Sequence, residues 1–276
     1  MDDRRNDRDG MPPSGDWLGT RHVRFDRHGA LARCSIDRPE RRNAMTASMY
    51  FAVRYASNLV DRDDTVAGML LTGVGDVFIP GGDLSWESDD AWSGIDALAG
   101  MDVCPFDALR QATKPVVAAV NGICQGGGLI IAMVSDLAVA SDRATFRAPE
   151  LLRGIADTNH AQILPRQIGP ARARDMLMTG RTLTAAEALD WGLISRVVPH
   201  DQLLDAATEA LIECCRSAPA ARADLKRTFD QYYGLYDRIG MNASLLGAEC
   251  HEGYEAFKER RNPSWVHPAL RTDGRL

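Results

Sequence analysis

Two glycine-rich turns carry the residue types best suited to binding developing negative charge. Phe78-Ile79-Pro80-Gly81-Gly82-Asp83-Leu84 follows the apolar run that ends at Thr72-Gly73. Asn121-Gly122-Ile123-Cys124-Gln125-Gly126-Gly127-Gly128 follows a second apolar run and leads into Leu129-Ile130-Ile131-Ala132-Met133-Val134. Glycine permits positive φ and lets a ligand approach the main chain. Three glycines at a helix start each cost about 1 kcal/mol against alanine, so an offsetting role is expected. A helix N-terminus offers unpaired N–H groups and the positive end of the helix dipole. Close helix–strand packing accounts for one glycine more readily than for three. No Gly-Lys-Ser/Thr follows, which excludes a phosphate-binding P-loop, and the G-x-G-x-x-G dinucleotide spacing is absent. One N–H donor from each turn would make an oxyanion hole for a carbonyl oxygen that becomes negative during reaction.

Downstream, Asp157 and His160 stand three residues apart. That spacing puts them on one helix face as an acid–base set, or makes Asp157 the helix cap. The six histidines show no metal-ligand spacing such as H-x-x-x-H, so no metal is expected.

The elements that position these groups are legible as alternating strands and helices. Residues 21–28 and 30–37 alternate apolar and polar around His28-Gly29, a hairpin signal. Residues 46–60 place Met49, Ala52, Val53, Ala56 and Leu59 at helical spacing. Runs at 67–71, 116–120 and 137–140 read as buried parallel strands. Thr184-Ala185-Ala186-Glu187 is a capping box for a helix that stops at Gly192, and Leu193 to Val198 reads as a strand. Beyond His200 the pattern is helical over 202–216, 220–233 and 239–261, with Leu203, Ala207, Ala210 and Cys214 on one face. The expected organisation is a tail over 1–16, an α/β core over 17–199 and a helical oligomerisation subdomain over 200–276.

Composition narrows the function classes. The formal net charge is −6 and no stretch carries five or more Lys and Arg together, so nucleic acid is not an expected partner. No apolar run approaches bilayer-spanning length, so no membrane association is expected. The N-terminal Met1–Gly15 is charged in both signs and lacks the apolar core of a signal peptide. Six cysteines without a C-x-x-C pair fit reduced thiols, and the cytoplasm is the default location.

Taken in order, the segments resemble the crotonase (enoyl-CoA hydratase/isomerase) superfamily from about residue 20 to 265. The resemblance rests on Arg38-Pro39 with Arg42-Asn43-Ala44-Met45, on Phe78 to Leu84, and on Ala118 through Gly126-Gly127-Gly128 to Asp136. It continues through Phe146-Arg147-Ala148-Pro149-Glu150, Leu177 to Gly180, Ala186 to Ile194 and Glu252 to Arg261. It implies a spiral of ββα turns with a helical C-terminal trimerisation layer, assembled as a homotrimer or dimer of trimers. It implies an acyl-CoA substrate, with coenzyme A entering only as part of that substrate and no separate cofactor. Gly82 and Gly127 would supply the oxyanion N–H groups, flanked by Gly81 and Gly126. Arg42, Asn43 and Ala44 would lie near adenine. Arg38, Lys258 and Arg261 would meet phosphates, the last two from a neighbouring subunit, unless they are simply solvated surface charges. Trp86 and the acidic stretch Glu87 to Asp90 would roof the acyl pocket, or form a solvated loop.

One departure from the family pattern bears on mechanism. Hydratases of the family place two glutamates around the double bond. Glu150 matches one, but Ile130 stands where the other would be. Water addition divides two proton duties between two groups, whereas a single carboxylate can shuttle a proton between the α- and γ-carbons. Isomerisation of an enoyl-CoA is therefore favoured over ordinary hydration. Asp157 or His160 replacing the lost glutamate, hydrolysis of a carbon–carbon bond in a β-diketone, and a degenerate acyl-CoA-binding scaffold stand as alternatives.

Overall fold

The computed structural model describes residues 19–83, 104–233, 238–266 and 271. The expected tail over 1–16 and the stretch from Trp86 to Asp90 lie outside the described residues. The first hairpin forms as read: β1 (Val23–His28) and β2 (Leu31–Ile36) run antiparallel, with His28 opposite Leu31 and Gly29 at φ 62° in the tight turn. α1 (Ala47–Arg62) starts at Thr46, whose hydroxyl accepts from the Met49 N–H, and buries Met49, Ala52, Val53 and Ala56.

Two sheets then grow together. β3 (Gly68–Gly73) enters the first sheet and β4 (Val77–Ile79) the second. After α2 (Phe106–Gln111), β5 (Val116–Val120) and β6 (Ile123–Gln125) repeat that step, followed by α3 (Gly127–Val134). β7 (Leu137–Ser141) and β8 (Thr145–Arg147) repeat it again. Then come α4 (Thr158–Ile168), α5 (Pro170–Thr179), β9 (Thr182–Thr184), α6 (Ala185–Asp190) and β10 (Arg196–Val198). The first sheet has the order β1-β2-β3-β5-β7-β10 and the second β4-β6-β8-β9. Every pair is parallel except β1 with β2 and β8 with β9. The expected α/β spiral is thus present. Its inner strands are apolar on both faces because both are covered.

The corners between sheets depend on two buried asparagines. Asn121 accepts from the Gly73 N–H at 3.1 Å and donates to the Gly75 carbonyl at 2.7 Å. Asn43 donates to the Val77 and Val74 carbonyls at 2.6 and 3.0 Å. These side chains satisfy main-chain groups that the turning strands leave unpaired.

The helical end departs from the sequence reading in four respects. α7 (Leu203–Cys215) buries Leu203, Ala207, Ala210 and Leu211 against Leu70, Val117, Ala119 and Val139. It therefore covers the first sheet, and the expected boundary at residue 200 falls before a helix that shares the core. Leu211, not Cys214, completes its inner face, since Cys214 is only half-buried. After α8 (Pro219–Tyr233), the expected continuous helix over 239–261 is two helices, α9 (Arg238–Leu245) and α10 (Ala248–Glu259). Gly247 separates them in extended conformation, at φ −76° and ψ 157°. The expected strand over 193–198 shortens to β10, because Leu193 and Ile194 are buried in a turn instead of a ladder. The Thr184–Glu187 capping box of α6 is present, and Asp136 links β5 to α8 by accepting from the Val116 N–H and the Lys226 ammonium.

α3 packs directly onto β4. A Cβ added to Gly128 would lie 2.2 Å from the Ile79 carbonyl oxygen and 2.6 Å from the Ile79 Cβ. The third glycine of the turn is therefore explained by close helix–strand approach. A Gly128→Ala variant should be less stable by about 1–3 kcal/mol, the usual range for overpacking, as read from the midpoint of urea unfolding.

Candidate active site

Three neighbouring parallel strands bring the chemically interesting residues to one place. β4 ends at Ile79 and runs into Pro80-Gly81-Gly82; β6 ends at Gln125 and runs into Gly126-Gly127; β8 ends at Arg147 and runs into Ala148-Pro149-Glu150. Ile79 pairs with Cys124 and Gln125 with Arg147, so despite a register irregularity between Val77 and Ile79 those ends lie side by side. The turns touch: a Cβ on Gly126 would lie 3.4 Å from the Gly81 Cα and 2.6 Å from Glu150 Oε1. Gly126 has φ 55° and Gly81 φ 112°, so a side chain at either is both strained and obstructed or in contact.

The two expected donors are left without strand partners by different devices. Gly82 forms a single parallel bridge with Met45, in which the Met45 N–H donates to the Gly81 carbonyl at 3.0 Å and the Asp83 N–H donates to the Met45 carbonyl at 2.8 Å. That pattern turns the Gly82 N–H to the side away from Met45. Gly127 is the first residue of α3, and a first-turn N–H has no carbonyl within its own helix. Arg38 secures the first turn. Its guanidinium donates to Asp83 Oδ2 at 2.6 Å and to the Ala44 carbonyl at 3.0 Å, and the side chain is 4% exposed. This commits Arg38 to the Gly82 turn in place of the expected phosphate.

Glu150 opens a short 3-10 turn (Glu150–Arg153). Asp157 caps α4, with Oδ1 accepting from the Asn159 and His160 N–H groups at 2.9 and 3.2 Å. The cap is present, and the same carboxylate also reaches His160. Asp157 Oδ2 lies 3.2 Å from His160 Nδ1, and Glu150 Oε2 lies 3.6 Å from the same nitrogen. His160 is wholly buried, and neither ring nitrogen nor Glu150 Oε2 makes an aligned hydrogen bond. Ile130 is likewise buried, so no carboxylate occupies that position.

The electrostatics divide the three groups. Burial pushes the Glu150 carboxyl up; His160 opposes this and Asp157 adds to it. Burial also works against ionising Asp157, but His160 and the two capping N–H groups prevail and hold its carboxyl below the usual range. Burial alone would lower the His160 imidazole; Asp157 and then Glu150 reverse that and push it up to about 9. At neutral pH His160 is then an imidazolium beside an ionised Asp157. The three side chains also offer ligand atoms within 4.8 Å of one another.

Tyr50 is a site residue that the sequence reading missed. A Cβ on Gly127 would lie 2.2 Å from the Tyr50 hydroxyl oxygen. Burial, with Cys104, Glu150 and Asp157 nearby, raises the phenol well above its ordinary range, so it stays protonated. Its position in α1 is one turn into an amphipathic helix, where an inward tyrosine reads as core.

The expected coenzyme A contacts are dispersed. Arg42 is exposed in the left-handed region at φ 51°, and Asn43 is buried as a corner side chain. Ala44 accepts from Arg38 through its carbonyl. Lys258 is exposed at the end of α10. Arg261 is paired with Glu252, at 2.7 and 3.1 Å, and with Glu259 at 2.6 Å. Among the described residues no helix is long and apolar enough to cross a membrane.

Known proteins resemble this chain over nearly its whole length. The enoyl-CoA hydratase/isomerase family model matches residues 26–268. A carnitinyl-CoA dehydratase from Salmonella arizonae is 36% identical, covering 88% of this chain and 97% of that protein. The solved carnitinyl-CoA dehydratase from Mycobacterium avium 104 superposes with a TM-score of 0.72 at 34% identity, covering 89% of this chain and 98% of the other. A monofunctional enoyl-CoA isomerase from M. smegmatis superposes with a TM-score of 0.65 at 32% identity, covering 80% and 98%. With that match running from the first hairpin to the last helix, through both glycine turns and Glu150, the chain belongs to the enoyl-CoA hydratase/isomerase family.

Proposed function

We propose that this enzyme transfers a proton at the α-carbon of an acyl-CoA thioester, with Gly82 and Gly127 holding the carbonyl oxygen and Glu150 carrying the proton. The observation that carries the reading is the meeting of the two glycine turns with Glu150 Oε1 at the adjacent ends of β4, β6 and β8. As the α-proton leaves, the thioester oxygen gains negative charge, and fixed N–H groups stabilise that charge with little reorganisation. A carboxyl that burial pushes up from its ordinary range can both accept a proton and return it.

Ile130 favours double-bond migration. With an apolar side chain on α3, one carboxylate takes a proton from one carbon and delivers it to another, converting a 3-enoyl to a 2-enoyl thioester. Reversible loss of water is the second reading, favoured by the dehydratase names of relatives at 34–36% identity. The β-diketone hydrolase reading loses support, because a protonated His160 has no lone pair on Nδ1 with which to activate water. A degenerate scaffold is opposed by the poised Glu150. The substrate's coenzyme A is the only cofactor moiety the reading requires, bound near Arg42 and Lys258. Exposed Phe229, Tyr232, Leu246 and Phe257 on or beside the last three helices support burial of that layer in a trimer.

Purified protein incubated with 3-enoyl-, 2-enoyl- and 3-hydroxyacyl-CoA decides between the readings. A mass-neutral shift of the double bond is expected; a change of 18 Da, about one water in mass, selects dehydration instead. Glu150→Gln should lower kcat by about 10²–10⁴-fold with little change in KM, measured on whichever substrate turns over. Gly127→Ala drives a methyl group into the Tyr50 hydroxyl and displaces the donor. It should raise the barrier by about 2.7–4 kcal/mol, while circular dichroism reports an unchanged fold.

A further inference from the structure

We infer that Asp157 and His160 form a buried charge pair that positions the Glu150 carboxylate and offsets its negative charge during proton transfer. The inference rests on Glu150 being the proton-transfer group.

The geometry assigns each oxygen a separate duty. Asp157 Oδ1 is occupied by the cap, leaving Oδ2 for His160 Nδ1 at 3.2 Å. The imidazole is thereby fixed between two carboxylates, with Glu150 Oε2 at 3.6 Å. That contact draws Oε2 inward and leaves Oε1 at the Gly126 turn. Without the imidazolium, ionising Glu150 would set two carboxylates side by side in a buried site with no ring cation between them, which is strongly unfavourable. With it, the cluster carries one negative charge when Glu150 is ionised and none when Glu150 holds the proton.

Among the described residues, few other charges reach the cluster. Arg153, on the Glu150 turn, acts on Glu150 while stacking over Phe257 at 4.9 Å. Tyr50 from α1 and Cys104 ahead of α2 are the titratable groups on the substrate side. α3 is apolar throughout. On α5, Arg172, Arg174 and Asp175 are exposed. On α8, Lys226 is turned to Asp136 and Asp230 to Arg110. From α9 the Ser244 hydroxyl accepts from the Ala156 N–H.

Asp157→Asn isolates the charge, because asparagine caps a helix as well as aspartate does. In the full-length protein labelled with ¹⁵N-histidine, the His160 ring should stay protonated up to about pH 9. A raised imidazole is charged below its titration and neutral above it, so activity should fall as pH rises through that value. In Asp157→Asn both the ring titration and the alkaline limb of kcat/KM should move down together, by about one to three pH units, and the thermal midpoint near neutral pH should fall with them, because the attraction lost to the ring is also lost to folding. His160→Gln should lower kcat at least about tenfold and move the acidic limb upward; if it does not fold, the Asp157→Asn pair of readouts stands alone. The inference is overturned if wild-type His160 titrates near an ordinary histidine, or if Asp157→Asn leaves its titration and the alkaline limb in place. Failure of the wild type to turn over any acyl-CoA would defeat the proposed function, while the NMR titration would still decide the pair.

Discussion

Side-by-side pairing of three short parallel strands is the constraint on which the site depends. β4, β6 and β8 are each only three residues long. Because they pair in near register, the residues that follow them emerge side by side, and main-chain groups separated by tens of residues become neighbours. A one-residue slip would reverse the facing of each following side chain. The long apolar strands of the first sheet and the asparagine corners are what hold this short sheet in place.

The glycines illustrate how several constraints fall on one turn. Gly126 needs positive φ and faces Glu150; Gly127 faces the Tyr50 hydroxyl; Gly128 faces the Ile79 main chain. Packing, conformation and access to the main chain each claim one residue, which is why three in succession are retained despite their entropy cost. Arg38 does comparable work for the other turn by binding Asp83, a contact that spans 45 positions in the chain.

Charge at the site is arranged by burial as much as by sequence. The same desolvation acts on Glu150, Asp157 and His160, yet the outcomes differ because their partners differ. Asp157 has two N–H donors and an imidazole; Glu150 has the imidazole at longer range and an adjacent carboxylate. The unlike environments separate a carboxyl held up by burial from one held down by its partners.

The sequence by itself determined the family, the alternation of strands and helices, both glycine turns and the presence of one matched glutamate opposite an apolar Ile130. Those features are local or ordered along the chain, so periodicity, turn chemistry and motif order reveal them. It also offered Asp157 and His160, but left cap and acid–base pair as competing roles. Only the tertiary structure decided that the Asp157 carboxylate both caps the helix and lies against the His160 ring, because its two oxygens face different partners. The fold likewise turned Arg38 inward, brought Tyr50 onto Gly127 and divided the last long helix at Gly247. An inward tyrosine or arginine carries no sign in sequence of what it will meet: its neighbour is set by contacts distant along the chain, and burial then fixes its charge.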